Sequence, residues 1–133
     1  MARRAGTLDG TIVFDCEGLS RYLAGDERTA RIAETGRDCV ISVATMLETS
    51  HAKITASRWN FVLSQLRVEP FTVELAKEAT ELLRNTGLSG HKYAIDAMVA
   101  VTALHQPGPV VILTSDVDDM DKLCGGRVTL VPV

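Results

Sequence analysis

Asp15 and Asp116 each close a short apolar run rich in β-branched residues, Thr11-Ile12-Val13-Phe14 before the first and Val110-Val111-Ile112-Leu113-Thr114-Ser115 before the second. In parallel strands such residues fall on one edge of the sheet, the carboxyl edge, where ligands gather. Asp96 lies inside Tyr93-Ala94-Ile95-Asp96-Ala97-Met98-Val99-Ala100-Val101, a stretch with the marks of a buried helix. Asp is a poor helix former, and an ionised carboxylate buried without a partner costs roughly several kcal/mol. A divalent cation would compensate, and so would an ion pair to Lys92 one turn earlier. Glu48, in Val43-Ala44-Thr45-Met46-Leu47-Glu48-Thr49-Ser50, is the first acid on a helical segment. Taken alone it reads as a solvated helical Glu, and it gains weight only from the other three. Asp15 and Asp116 also suit helix N-caps, a role that still leaves a capping carboxylate an oxygen to present.

The chemistry such a set can do is specific. Hard cations such as Mg²⁺ and Mn²⁺ prefer oxygen ligands and keep several waters. At a carboxylate cluster they activate water, hold a phosphate and stabilise charge as a bond breaks. Four acids with no His or Cys ligand point to phosphodiester hydrolysis. His51, His91 and His105 share no constellation with a partner base.

The elements that must position these acids alternate along the chain. Short β-rich runs are predicted as strands at Thr11–Phe14, Cys39–Ile41, Val68–Phe71, Val110–Leu113 and Val128–Val131. Between them the apolar spacing is helical. Leu19, Tyr22 and Leu23 share one face, and Val43, Met46, Leu47 and Ser50 another. Trp59, Val62, Leu63 and Leu66 mark a third helix, and Val73 through Leu83 a fourth that stops near Gly87. His91 to Leu104 is apolar almost all round, which predicts a central, buried helix. Alternating strands and helices predict an α/β fold, a mostly parallel sheet of about five strands flanked by helices. The 133 residues are one ordinary domain in length, so the expectation is a single domain over 1–133 with a flexible leader over 1–10.

Bulk properties narrow the class. Hydrophobic residues make up 46%, which supports a proper core. No apolar run approaches the ~20 residues of a membrane span. The first ten residues lack the apolar stretch of a signal peptide, so the expected location is the cytoplasm and no membrane partner is expected. Cys16, Cys39 and Cys124 are widely spaced and read as reduced thiols. A net charge of −3 argues against coating nucleic acid by charge alone, but not against an enzyme that holds one phosphate through a metal.

Order, spacing and length together resemble the PIN-domain ribonucleases, in particular the VapC-type toxins of bacterial toxin–antitoxin pairs, from Ile12 to Val131. Ile12-Val13-Phe14-Asp15 looks like the family's first acid and Met46-Leu47-Glu48 like its second. Ile95-Asp96-Ala97-Met98-Val99-Ala100 is similar to the third, an Asp-Ala pair in an apolar helix. Leu113-Thr114-Ser115-Asp116 is similar to the fourth, and Thr114 to Asp119 is the most specific piece. The resemblance implies a PIN-like fold and Asp15, Glu48, Asp96 and Asp116 as catalytic and metal-ligating residues. It further implies Mg²⁺ or Mn²⁺, cleavage of structured RNA such as tRNA, homodimers, and inhibition by a cognate antitoxin. Two departures stand out. Cys16-Glu17 follows the first acid where the family has small or hydroxyl residues, and the leader is longer than the family's.

Several neighbours of the four acids carry two readings each. Thr114 and Ser115 suit the positioning of water or phosphate, while Ser115 with Asp118 also fits a capping box. His91 and Lys92 either face incoming RNA or merely occupy surface. Asp118 and Asp119 either assist the site or favour the positive end of a short helix. Arg21, Arg28, Arg31 and Arg37 form either a phosphate track or a solvated face. Among other functions, an aspartyl phosphotransferase wants a second Asp two residues after the first, where Glu17 stands. A phospho-receiver needs an Asp after its third strand and a Lys after its fifth, and neither is present. The remaining alternative is a non-catalytic PIN-like module that binds RNA or protein.

Overall fold

β-Branched and aliphatic runs form the strands, and five of the described helices begin at a residue whose side chain caps them. The computed structural model describes residues 8–51 and 53–133. In chain order the elements are β1 (Thr11–Phe14), α1 (Cys16–Leu23), α2 (Glu27–Ala33), β2 (Asp38–Ser42), α3 (Val43–Thr49) and α4 (Ala56–Ser64). They continue with β3 (Arg67–Glu69), α5 (Val73–Thr86), α6 (Gly90–Leu104), β4 (Val110–Thr114), α7 (Val117–Cys124) and β5 (Thr129–Pro132). The caps are local chemistry: Asp15 accepts from the Gly18 amide, Asp26 from Thr29, Ser42 from Ala44, Thr55 from Arg58 and Thr72 from Leu75. Each satisfies an amide that the first helical turn leaves without a partner.

All five strands are parallel, in the order β3-β2-β1-β4-β5. Helices cover both faces, so successive strand residues feed opposite cores. Ile12, Phe14, Cys39, Ile41 and Leu113 pack with Leu19, Tyr22 and Leu23 of α1 and Val62 of α4. Val13, Val40 and Ile112 pack on the other side with Ala97, Ala100 and Val101 of α6 and Met120 and Leu123 of α7. The chain builds outward from β1 through β2 to β3 and then crosses back to place β4 on the other flank of β1. That reversal opens a crevice between the carboxyl ends of β1 and β4.

The α/β class and the five parallel strands agree with the sequence reading, and the differences are local. The third strand is Arg67–Glu69 rather than Val68–Phe71, because Pro70 has no N–H for a ladder. Phe71 instead packs against the α5–α6 side. Helix α2 was not anticipated; its cue was Asp26, whose carboxylate accepts from both the amide and the hydroxyl of Thr29. On α3 the expected face of Val43, Met46, Leu47 and Ser50 is not the buried one. Leu47 is 73% exposed, while Ala44, Thr45 and Thr49 are buried. Ser42 both ends β2 and caps α3, so the helix inherits its rotation from the strand with no linker to adjust it. Helix α6 is buried only in its second half: Gly90–Lys92, Ala94 and Ile95 are exposed, and burial starts at Ala97. Of the leader expected over 1–10, residues 1–7 lie outside the described residues, and the Leu8 amide donates to Gly36 at 2.8 Å.

Candidate active site

Strand ends place two of the four acids, and helices bring up the others. Asp15 directly follows β1 and Asp116 lies one residue beyond β4, on the two sides of the topological reversal. The far end of α6 lies at the amino edge of the sheet, where Gln106 accepts from Arg67 of β3 at 2.8 Å. Its first half therefore stands at the carboxyl edge, with Asp96 where exposure gives way to burial. Glu48 comes from the exposed side of α3, which packs on both α1 and α6. The structure brings all four together: Asp15, Glu48, Asp96 and Asp116 line one cleft, joined by Cys16, Glu17 and Ser115. No Lys, Arg or His lines it.

Asp15 is the most constrained of the four. It is 6% exposed. One oxygen accepts from the Gly18 amide at 2.8 Å and the other from the Ser115 amide at 3.3 Å. The buried Thr114 hydroxyl also favours the charged carboxylate. Burial pushes its pKa above the usual carboxylate value, these donors pull it down, and the charge of Asp116 adds to the rise. Gly18 makes the arrangement possible, because a Cβ there would lie 2.9 Å from the Leu113 carbonyl oxygen. Sequence reading passed over Gly18; the available signal was a glycine inside the first turn of an amphipathic helix.

Asp96 has no ion pair among the described residues. The Lys92 ammonium lies 5.2 Å from the centre of the Tyr93 ring rather than on the carboxylate, so the expected alternative pairing is not formed. Burial, then the charges of Asp116, Asp15, Asp119 and Glu48, push the Asp96 pKa up to about 6. Asp116 occupies the N-cap position of α7, yet its side chain makes no capping bond. The Ser115–Asp118 capping box is not formed either; the Ser115 amide is turned to Asp15 and the Asp116 amide to the Thr114 hydroxyl at 3.0 Å.

The remaining candidates separate from the cleft. His91, Lys92, Asp118 and Asp119 do not line it, although Asp119 acts on Asp96 through its charge. None of Arg21, Arg28, Arg31 and Arg37 lines it, and Arg28 is tied to the Pro132 carbonyl at 2.9 Å. Cys16 does line it. Its thiol lies 3.6 Å from the Thr49 hydroxyl, and burial, followed by the charge of Glu48, raises its pKa. A thiol held protonated is a poor nucleophile and a poor ligand.

The donor set fits a hard divalent cation: carboxylate oxygens, no imidazole, and no cationic side chain already neutralising them. The acids line walls and do not close a cage. Among the described residues no three His, Cys, Asp or Glu side chains stand close enough to hold an ion outright.

A doubly wound parallel sheet with a carboxylate-lined cleft at its switch point is an arrangement suited to holding a divalent ion against a phosphate. The chain belongs to the PIN domain family, whose family model matches residues 12–125. In fold it is similar to VapBC2 from Rickettsia felis, whose crystal structure was solved bound to a DNA fragment from their promoter. The TM-score is 0.66 at 13% identity, over 92% of this chain and 98% of the matched chain. No curated protein matches the sequence.

Proposed function

We propose that this chain is a metal-dependent endoribonuclease, the toxin of a type II toxin–antitoxin pair, that hydrolyses phosphodiester bonds in structured RNA such as tRNA. The observation that carries the reading is the cleft in which Asp15, Glu48, Asp96 and Asp116 face one another with no lining cation. Asp15, Asp96, Asp116 and Glu48 would hold Mg²⁺ or Mn²⁺. A divalent ion at such a site supplies charge neutralisation on the phosphate and lowers the pKa of an attacking water.

The chain's own groups divide the work by environment. Asp15, fixed by two amides, is a rigid oxygen donor that costs no reorganisation when ligand arrives. Asp96, held up to about pH 6 by burial and by its acidic neighbours, gains most from an added positive charge. Glu48 and Asp116 are exposed and free to adjust to substrate. An acidic cleft repels RNA, and the ion bound there reverses that locally. VapC-type features of the sequence and the fold likeness to VapBC2 support a cognate antitoxin as partner; a homodimer is what the family resemblance of the sequence implies. No helix among the described residues is long and apolar enough to cross a membrane.

The test is direct. Purified protein is expected to cleave structured RNA in Mg²⁺ or Mn²⁺ and to be silent in EDTA, with Asp96→Ala inactive. Expression of the wild type alone is expected to slow bacterial growth, and expression of Asp15→Ala is not. Cleavage that persists in EDTA or in Asp96→Ala would refute the reading.

A further inference from the structure

Beside the acid cleft lies a pocket of opposite charge. Its volume is about 320 Å³, and its walls include Ser20 and Leu23 of α1, Arg58 of α4, and His51, Lys53 and Ile54 from the chain between α3 and α4. Among the described residues no Asp or Glu lines it. The two sites share their walls. Ser20 stands one turn along α1 from Cys16, which lines the cleft, a rise of about 6 Å. His51 follows Glu48, another cleft residue, by three positions. A strand lying across the cleft reaches this pocket within a nucleotide or two.

The polar groups of the pocket are arranged as donors. Arg58 spans the end of α1: its Nε donates to the Leu23 carbonyl at 3.0 Å and its Nη2 to the Tyr22 carbonyl at 2.7 Å. Both carbonyls belong to the last turn of that helix, where a cation is favoured. The guanidinium is held in place by them, and its Nη1 makes no hydrogen bond among the described residues. The Lys53 amide donates to His51 Nδ1 at 3.2 Å. A ring that accepts at Nδ1 carries its proton on Nε2, so Nε2 donates even when the imidazole is neutral. Lys53 itself is exposed and adds an ammonium. Leu23 and Ile54 supply apolar surface between these groups. Phosphate oxygens only accept, and an unpaired base offers a flat face to pack or stack, so a nucleotide complements both halves of the pocket.

We propose that this pocket seats a nucleotide of the RNA close to the one cut in the acid cleft, with Lys53, Arg58 and His51 Nε2 holding its phosphate and Leu23 and Ile54 packing its base. The division lets a chain of net charge −3, whose cleft has no cation, still hold a polyanion: backbone affinity comes from this pocket and the metal from the cleft. An acidic protein segment would meet the same charges. A nucleotide is favoured because the pocket continues the walls of the cleft that handles phosphate.

This inference rests on the nuclease reading of the cleft, and the experiment separates the two. A fluorescein-labelled single-stranded oligoribonucleotide of about ten nucleotides, within the usual site sizes, is titrated in chelator into wild type, Lys53→Ala, His51→Ala and Lys77→Ala and followed by anisotropy. Each variant is first checked for its thermal midpoint. Lys77 is an exposed control on α5 that lines neither site. Lys53→Ala is expected to bind about 10-fold more weakly, as for loss of a charged hydrogen bond. Its slope of log affinity against log salt should shrink by about 0.7, the loss of one phosphate contact to a single strand. His51→Ala should weaken binding with little change in that slope when the ring is neutral, and Lys77→Ala should match wild type. In Mn²⁺, Lys53→Ala should raise KM for RNA and leave kcat and the Mn²⁺ requirement unchanged. Wild-type affinity and salt slope in Lys53→Ala overturn the inference. An equal loss in Lys77→Ala overturns it too, because net charge alone would then account for binding. A labelled Asp-Leu-Asp-Leu-Asp peptide that binds wild type more tightly than the RNA, and is lost in Lys53→Ala, gives the pocket to a protein segment and also overturns it. RNA bound through Lys53 but never cleaved in Mn²⁺ overturns the nuclease reading instead.

Discussion

Asp15 and Asp96 are both partly removed from water, and the difference between them is in their donors. Asp15 accepts from two backbone amides; Asp96 has no hydrogen bond or ion pair of its own among the described residues. The folded state therefore prefers Asp96 protonated, with a pKa near 6 against an ordinary value of 3.8. The sign follows from linkage. Between those values the native state binds the extra proton, so stability falls as pH rises and is lowest above about pH 6. In chelator, wild type is expected to melt at a higher temperature at pH 5 than at pH 7.5, relative to Asp96→Asn at the same two pH values. Asp96→Asn should be at least as stable as wild type at pH 7.5, and a large loss there would mean that Asp96 has a structural partner. For cleavage, Asp15→Ala and Asp96→Ala should each lose on the order of 100- to 1000-fold or more in rate, as expected for removal of a preorganised electrostatic group. Glu48→Gln should be similar or milder, since an amide oxygen still coordinates weakly. Asp116→Asn should be rescued in part by raised Mn²⁺. A Glu48→Gln enzyme with unchanged rate would remove Glu48 from the site.

The element that matters most to the cleft is α1. Its first turn caps on Asp15, and at Gly18 it packs tightly against Leu113 of β4. Gly18→Ala would ordinarily favour a helix. Here the added Cβ meets a backbone oxygen at 2.9 Å, so α1 must move outward and carry the Asp15 cap with it. A stability loss of about 1–3 kcal/mol is expected from such overpacking, together with weaker Mn²⁺ binding. A more stable Gly18→Ala protein would show that α1 has room to shift. Helix α2 offers the contrast. Asp26→Ala removes its cap and should lower the thermal midpoint, yet cleavage should be unchanged because α2 contributes nothing to the cleft lining.

For the whole molecule, the cleft makes stability depend on ligand. Anything that binds only the native state raises stability by mass action, about 2.7 kcal/mol at a concentration 100 times its Kd. Mn²⁺ should therefore raise the melting temperature of wild type, by more at pH 7.5 than at pH 5, and raise that of Asp96→Asn far less. Equal shifts in both proteins would locate the ion elsewhere. Leu47, Phe61 and Val73 remain exposed in the single chain, at 73%, 49% and 67%. Sedimentation of the purified protein would test the proposed homodimer, and a monomer at high concentration would count against it.

Strand identity, helix periodicity and the order of the four acids were legible in the chain because they rest on near neighbours: alternation in Thr11–Phe14, an N-cap carboxylate at Asp15, an acid set in the apolar run around Asp96. The parallel α/β class followed from the same local alternation. What could not be read there involves partners distant in sequence. Whether Asp96 pairs with Lys92 or faces Asp15 is settled by the packing of α6 across the sheet, since an i,i+4 spacing permits the ion pair without requiring it. Which side of α3 is buried depends on how β2 hands its direction to the helix at Ser42, so Leu47 and Glu48 faced outward against a periodicity that favoured Leu47 inside. The bond from the Ser115 amide to Asp15 spans 100 residues, and no local pattern announces it. Chain-local energies specify each element; the crossing from β3 back to β4, which places Asp15 and Asp116 on one crevice, is a property of how those elements bury their apolar faces together.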